Sequence, residues 1–216
     1  MPGSPAPHTV LIHGLGRSRY DMLLLGHRLS RLMPDTTVHI FDYHSRKLCL
    51  GDCVEQLNNF VARNVNGEPV SFIGHSLGGI VVRALDHRRE TSAPLRRLVT
   101  LGSPHNGAQI AQRLAKYRAF NALFGPILDE LGSLQLPAST SQLEIGCIIG
   151  GLGHRWGFLP VFGEDNDGLV LAREASLAGS ADSISMPIFH GLFPFSARAT
   201  RQAVHFLQHG FFSHLP

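Results

Sequence analysis

The sequence contains few charged residues and no long apolar run, and each of these absences excludes a class of protein. Charged residues make up only 16% of the 216 residues and hydrophobic residues make up 44%, whereas disordered chains combine low hydrophobicity with high net charge. No apolar run approaches the roughly 18–20 residues that a bilayer-spanning helix needs, so we expect no integral membrane segment. The 23 glycines and 13 prolines interrupt long helices and exclude a coiled coil.

Basic residues are too dispersed along the sequence to indicate a nucleic-acid-binding protein. The chain has 19 Lys and Arg against 16 Asp and Glu, which gives a formal net charge of +3 with neutral histidines. The densest basic groups are pairs of neighbouring arginines, whereas a nucleic-acid-binding surface needs a basic patch or stripe. We therefore expect no nucleic-acid partner.

Cysteine is scarce as well, and Cys49, Cys53 and Cys147 form an odd set that does not indicate a disulfide framework. Residues 1–7 have neither the basic start nor the apolar stretch of a secretory signal, so we expect reduced thiols and a cytoplasmic location. Cys49 and Cys53 are four positions apart, but no second cysteine pair follows at zinc-binding spacing. We expect no metal site and no other cofactor.

Short apolar runs alternate with helical patterns, which indicates βαβ units and a mostly parallel sheet with helices on both faces. We expect one α/β domain over residues 1–216, with about six strands and no large cap domain. Asp52 is the predicted N-cap of the second helix, and Ser196 and Gly210 are the predicted caps of the last. The predicted strands are 9–12, 37–41, 70–73, 97–101, 144–149 and 183–188, and the predicted helices are 22–32, 52–65, 80–87 and 197–208.

Parallel sheets bind ligands beyond the carboxyl ends of their strands, so the residues after each predicted strand are candidates for chemistry. The third strand is followed by Gly74-His75-Ser76-Leu77-Gly78, a G-x-S-x-G pattern between a buried strand and an amphipathic helix. Such a turn holds the serine in a strained conformation with its hydroxyl above the sheet. The glycines let strand and helix pass closely. The alternative is a glycine-rich turn with a capping serine.

This pattern and three others resemble the α/β-hydrolase superfamily, and within it the small bacterial lipases and esterases. Residues 13–16 (HGLG) are similar to the oxyanion loop of that superfamily. Residues 102–107 (GSPHNG) and 166–170 (NDGLV) are similar to stretches common in bacterial lipases, the second of which surrounds the catalytic acid. The resemblance covers nearly the whole chain and implies a three-layer α/β-hydrolase fold.

The resemblance also implies a role for each matching residue. Ser76 would be the nucleophile, Asp167 the acid and His190 the base. The backbone N–H groups of Leu15 and Leu77 would form the oxyanion hole. Lipases with this acid motif usually carry an aspartate for calcium two residues after the histidine. Leu192 stands at that position here, so we expect no calcium site.

The residues themselves support a triad, with alternatives for two of its members. A serine hydroxyl needs an imidazole to take its proton, and the imidazole needs a carboxylate to set its tautomer. His190 follows the predicted sixth strand, and His154, in a glycine-rich loop, is the alternative base. Asp167 precedes Gly168 as in the lipases, and Asp165 is the alternative acid.

Substrate contacts are expected from the loops around the triad. His13 and His75 flank the predicted catalytic residues and are candidate substrate neighbours, with His13 also expected to orient the oxyanion loop. Residues 107–136 carry apolar residues at helical spacing, which fits either core-facing helices or a small mobile lid. Phe120 and Phe124 lie in this segment and are candidate substrate-binding residues.

The sequence therefore predicts a serine hydrolase that cleaves carboxylic esters through an acyl-enzyme, with a small acyl ester or a lipid as substrate. A thioesterase or acyltransferase would use the same triad and differ in leaving group or acceptor. A non-catalytic binding protein of this fold would usually lack a triad member, and none is missing here. Acyl chain length and natural substrate depend on loop conformations that motifs do not determine.

Overall fold

The computed structural model describes residues 6–88, 91–137 and 143–214, and its central element is one sheet. The strands are β1 (His8–Ile12), β2 (Thr37–Phe41), β3 (Val70–His75), β4 (Leu95–Leu101), β5 (Glu144–Gly150) and β6 (Asp182–Met186). All neighbouring pairs are parallel, and the order across the sheet is β2-β1-β3-β4-β5-β6. The chain thus moves outward from β1 to β2 and returns to the other side of β1 with β3.

Helices cover both faces of this sheet. The helices are α1 (Leu23–Leu32), α2 (Leu50–Val65), α3 (Leu77–His87), α4 (Gln109–Leu114), α5 (Arg118–Phe124), α6 (Ile127–Gly132), α7 (Ala172–Ala175) and α8 (Ala197–His209). Short 3₁₀ turns lie at Arg19–Met22, Pro160–Phe162 and His190–Phe195. Apolar residues of α1 and α8 pack on one face of the sheet, and those of α2, α3, α4 and α6 pack on the other. The predicted α/β architecture with a six-stranded parallel sheet is confirmed.

Local signals predicted both ends of α8, whereas one helix start and one strand end need correction. Ser196 caps α8, because its Oγ accepts the Ala199 N–H at 3.1 Å, and Gly210 ends that helix at φ 82°, both as predicted. Asp52 is not the N-cap of α2, because Cys49 takes that position and its thiol accepts the Asp52 N–H at 3.4 Å. The sixth strand ends at Met186 rather than at residue 188, since Pro187 has no N–H to continue the ladder.

The third helix begins at Leu77, directly after Ser76 and three residues before the predicted start. This early start requires close approach of two backbone segments. A Cβ on Gly74 would lie 2.3 Å from the Gly79 nitrogen, and one on Gly78 would lie 2.5 Å from the Ile12 carbonyl oxygen. Both obstacles are backbone atoms that cannot rotate away, so these two positions require glycine.

Gly78→Ala is therefore expected to lower the free energy of unfolding by about 2–3 kcal/mol or more, the cost of overpacking a closed site. Gly51→Ala is the matched control, because a Cβ there meets nothing closer than 3.5 Å and alanine favours the helix. Urea denaturation of both variants measures the difference. A Gly78→Ala protein as stable as Gly51→Ala would contradict the close approach.

Candidate active site

The candidate site lies at the carboxyl ends of the neighbouring strands β1 and β3, where the strand order changes direction, the position at which open α/β sheets bind ligands. Ser76 follows β3 with φ 52° and ψ −119°, a backbone conformation that residues other than glycine rarely adopt. Its N–H donates to the Leu101 carbonyl at 2.9 Å, and its own carbonyl accepts the Gly79 N–H at 3.1 Å. The strained backbone is thus held by the neighbouring strand and the first turn of α3.

His190 and Asp167 form a buried pair. The Nδ1 of His190 lies 2.7 Å from the Oδ2 of Asp167, and the His190 N–H donates to the Asp167 carbonyl at 2.8 Å. The other carboxylate oxygen, Oδ1, accepts the N–H groups of Leu169 at 3.0 Å and Val170 at 2.8 Å. A carboxylate in this position accepts a hydrogen bond from Nδ1–H, which leaves Nε2 of His190 as a hydrogen-bond acceptor.

The two alternatives from the sequence lie in other surroundings. The carboxylate of Asp165 accepts the N–H groups of Leu152 at 2.8 Å and Gly153 at 3.0 Å, so it closes the loop after β5. His154 is exposed, and its Nδ1 accepts the Trp156 N–H at 3.3 Å. Neither residue lines the cavity that Ser76 and His190 share.

That cavity has a volume of about 180 Å³ and walls that are mainly apolar. Ser76, His75 and His190 line it together with residues of α4 and α6. Its apolar lining residues are Leu15, Pro104, Ala108, Ile110, Ala111, Leu114, Phe124, Leu128, Leu131, Leu169 and Val170. Arg17, His75, Ser76 and His190 are its polar members, so the cavity offers mainly apolar contact to a ligand.

The candidate substrate contacts divide between the cavity and its surroundings. Phe124 and His75 line the cavity, whereas Phe120 and His13 do not. Phe120 stacks on Phe124 with ring centroids 6.4 Å apart, and it is 37% exposed. Within the segment 107–136, α6 contributes buried core residues and α5 contributes none. The prediction of core-facing helices therefore describes α6, and the alternative prediction of a small lid fits α5 better. Its mobility stays a prediction.

His13 is fully buried and fixes the loop after β1. Its Nδ1 donates to the Gly14 carbonyl at 2.9 Å, and its ring stacks on Tyr43 at 4.5 Å between centroids. A trans peptide directs its carbonyl and its N–H in opposite directions. The N–H of Leu15 therefore points away from His13.

His75 connects the turn at Ser76 to the histidine segment. Its Nε2 donates to the His190 carbonyl at 3.0 Å, and its Nδ1 lies buried without a hydrogen-bond partner in the described residues. Burial, with a smaller contribution from nearby His190, lowers the pKa of His75 well below 6.5, so the ring is neutral near neutral pH. His75 therefore contacts the cavity as a neutral ring that holds the backbone of His190.

Sequence reasoning missed a buried polar cluster behind the site. Arg83 is 1% exposed, and one of its terminal nitrogens donates to the Nδ1 and to the carbonyl of His105, each at 3.2 Å. The Nε2 of His105 donates to the Thr100 hydroxyl at 3.1 Å. The other terminal nitrogen of Arg83 donates to the Pro137 carbonyl at 2.8 Å, so the cluster anchors the end of the segment 107–136. The sequence signals for it are the histidine of the GSPHNG stretch and an arginine among the apolar residues of α3.

This cluster predicts acid sensitivity. Burial, together with nearby Arg83, lowers the pKa of His105 to about 3, against 6.5 for an exposed histidine. Between those values the unfolded chain binds a proton at His105 and the folded chain does not. The free energy of unfolding therefore decreases as the pH is lowered through this range, and this residue contributes about 1.4 kcal/mol per pH unit.

His105→Asn, which keeps an acceptor for Arg83, is expected to make that slope shallower. Urea denaturation at steps between about pH 7 and pH 4 measures the slope, and His27→Asn, at an exposed position, is the control. An unchanged slope in His105→Asn would show that His105 titrates alike in both states.

Arg17 was missed as well, and it borders the cavity. Its guanidinium pairs with Asp21 at 2.8 Å and donates to the Gly191 carbonyl at 3.3 Å, next to His190.

Among the described residues, no three His, Cys, Asp or Glu side chains are grouped as metal ligands would be. Nor does any helix in the described ranges have the length and apolar character needed to span a membrane.

Solved structures share this fold at low sequence identity. The mature lipase BlEst2 from Bacillus licheniformis matches with a TM-score of 0.64 and 21% identity over 90% of this chain and 92% of its own. An α/β-hydrolase fold protein from Chitinophaga pinensis matches with a TM-score of 0.65 and 13% identity, covering 96% and 91% of the two chains. A gene product of Listeria innocua matches at 0.60 and 17% identity over 94% of each chain. The predicted α/β-hydrolase fold is confirmed.

A family model matches more than half of the chain. A search of curated proteins found no match to this chain. The model for palmitoyl protein thioesterase matches residues 8–135, which include Ser76 and end before Asp167 and His190. Together with the fold, this match supports a hydrolase of esters or thioesters. The chain belongs to the palmitoyl protein thioesterase family.

Proposed function

We propose that this protein is a serine hydrolase that cleaves acyl esters, with Ser76 as nucleophile, His190 as base and Asp167 as acid. The observation that carries the proposal is the 2.7 Å contact between His190 and Asp167, with His190 and Ser76 lining one apolar cavity. An ionised carboxylate on Nδ1 stabilises the imidazolium that forms when Nε2 takes a proton.

In the first half of the reaction, Nε2 of His190 takes the hydroxyl proton of Ser76 while Oγ attacks the acyl carbonyl carbon. The carbonyl π electrons move onto oxygen and form a tetrahedral intermediate. That intermediate collapses as the bond to the leaving group breaks, and His190 returns the proton to the leaving oxygen. Water then repeats the sequence on the acyl-enzyme and releases the acid.

Two backbone N–H groups support the negative oxygen of that intermediate. The Leu77 N–H lies in the first turn of α3, where the amides have no partner within the helix and the helix dipole is positive. The Leu15 N–H points away from His13, because that histidine holds the carbonyl of the same peptide. Each such donor contributes about 3–4 kcal/mol of transition-state stabilisation.

A thioester is the second candidate substrate, and the family match is the observation that favours it. A thiol with a pKa of about 8.5 leaves as thiolate more easily than an alcohol leaves as alkoxide, so the same site cleaves it with less help from His190. Transfer of the acyl group to an acceptor other than water would use the same residues.

The test compares substrates that differ in one atom. Rates are measured on oxygen esters and on thioesters with matched acyl groups from short to long, with and without EDTA. A fluorophosphonate probe, which labels activated serines, is then located by peptide mass spectrometry. We expect turnover that EDTA does not affect and a label on the peptide that contains Ser76.

The matched pairs assign the substrate class. Faster cleavage of oxygen esters supports an esterase, and faster cleavage of the thioesters supports a thioesterase. A folded protein that is inert on both series and takes no label would overturn the proposal, and a non-catalytic binding protein would then explain the site better.

A further inference from the structure

Helices α1 and α8 lie side by side, and neither contains an acidic residue. Arg28 and Arg31 lie on α1, and Arg198 and Arg201 on α8. In the described ranges of the chain, none of these four arginines forms an ion pair with a carboxylate. Four cations are therefore concentrated on two adjacent helices that carry no acidic side chain of their own.

Between the two helices lies a surface groove of about 560 Å³, which we call the α1–α8 groove. Three arginines and two leucines are among its lining residues, and the leucines are 39% and 46% exposed. The side chains that define it are Leu24, His27, Arg28, Arg31, Leu32 and Arg201. The groove thus offers both charge and apolar contact to a ligand.

The α1–α8 groove is connected to the candidate active site through the 3₁₀ turn His190–Phe195. The guanidinium of Arg28 donates to the Phe195 carbonyl at 2.7 Å, and Phe195 ends the 3₁₀ turn that begins at His190. Helix α1 also contacts this turn directly. A ligand in the groove would therefore lie next to the backbone segment that holds the candidate base.

We propose that the α1–α8 groove docks an acidic amphipathic segment of the protein that carries the acyl group, which rests on the hydrolase function proposed above. Carboxylates of the segment would pair with Arg31 and Arg201, because guanidinium groups bind carboxylates through paired hydrogen bonds. Its apolar residues would cover Leu24 and Leu32. A flat bilayer surface does not enter a groove between two helices, and a free phosphate has no apolar part for the leucines.

Binding is tested with a fluorescein-labelled peptide of about 15 residues, about four helical turns, with Glu and Leu at helical spacing. The same peptide with Gln in place of every Glu is the charge control. We expect the intact protein to bind the acidic peptide at least about 10-fold more tightly than its Gln counterpart, with affinity that falls as salt is raised.

Charge reversal locates the binding site. Arg31→Glu/Arg201→Glu is expected to raise the Kd for the acidic peptide at least about 10-fold. Arg63→Glu/Arg113→Glu makes the same change in net charge at exposed arginines of α2 and α4, on the other face of the sheet, and is expected to raise the Kd much less. An equal effect of both double variants, or equal binding of the Gln peptide, would overturn the proposal. So would anionic vesicles that bind as tightly as the peptide through the same two arginines.

A second measurement separates docking from catalysis. The same acyl group is attached by a thioester to a cysteine in the acidic peptide and in the Gln peptide, and kcat/KM is compared. We expect Arg31→Glu/Arg201→Glu to lose about 10-fold on the acidic substrate and to keep its rate on a small soluble ester. Loss of activity on all three substrates would contradict a docking role, whereas wild-type inactivity on all three would contradict the proposed function while the binding result stands.

Discussion

Ser76→Ala is expected to lower kcat by about 10⁵–10⁶-fold, because a triad without its nucleophile retains only the contribution of substrate binding and the oxyanion donors. Alanine removes one oxygen and keeps the Cβ, so the backbone at φ 52° and its hydrogen bonds to neighbouring segments are preserved. The free energy of unfolding and the KM for a short ester are expected to change little. Steady-state kinetics with the preferred ester measures the loss.

Ser103 provides a matched control for this substitution. Its hydroxyl is buried beside the same turn, 2.3 Å from where a Cβ on Gly79 would lie, and has no hydrogen-bond partner within the described residues. Ser103→Ala is expected to keep kcat within a few-fold of the wild type, since no contact of this hydroxyl is lost. Equal rates for Ser76→Ala and the wild type would show that another residue is the nucleophile.

Asp167→Asn is expected to lower kcat by about 10⁴-fold through the tautomer of His190. The Oδ1 of Asp167 accepts two backbone N–H groups, so an asparagine there would place its carbonyl oxygen at Oδ1 and its NH₂ toward His190. An NH₂ donor facing Nδ1 requires the histidine proton to move to Nε2. Nε2 could then no longer accept the proton of Ser76.

The same substitution at Asp165 tests the alternative acid. Asp165 accepts backbone N–H groups of a loop and lies away from the cavity, so Asp165→Asn is expected to keep kcat within about 10-fold of wild type. Rates for the two variants are compared at equal folded fraction, measured by circular dichroism. A larger loss at Asp165 than at Asp167 would reverse the assignment of the acid.

Strands and helix ends that are set by residues close together in the sequence were predictable. The alternation of apolar runs with helical patterns was sufficient for the six strands, and Ser196 and Gly210 marked the ends of α8. The errors in the predicted boundaries arose where an uncommon residue type caps a helix or ends a strand. Cys49 accepts a helix N–H in the place usually taken by an oxygen, and Pro187 ends a strand within an apolar run.

Motif residues at the candidate site were also predictable, because each must follow its own strand. The cavity wall was not, since it combines Ile110 and Leu128 with Leu169 from a distant part of the chain. Arg83 and His105 lie 22 residues apart, and nothing in the local sequence of either indicates the other. Phe120 and His13 lie next to residues that line the cavity rather than in its wall, and their roles as substrate contacts stay predictions.

The sequence by itself determined the strained turn at Ser76, because only glycine at positions 74 and 78 allows the backbone contacts that turn requires. It also determined the order in which Ser76, Asp167 and His190 follow their strands. Tertiary structure alone decided which polar groups became buried and which charges were brought together. The arginines of the α1–α8 groove are about 170 residues apart in sequence, and Arg31 and Arg201 become neighbours only because both helices pack on the same face of the sheet.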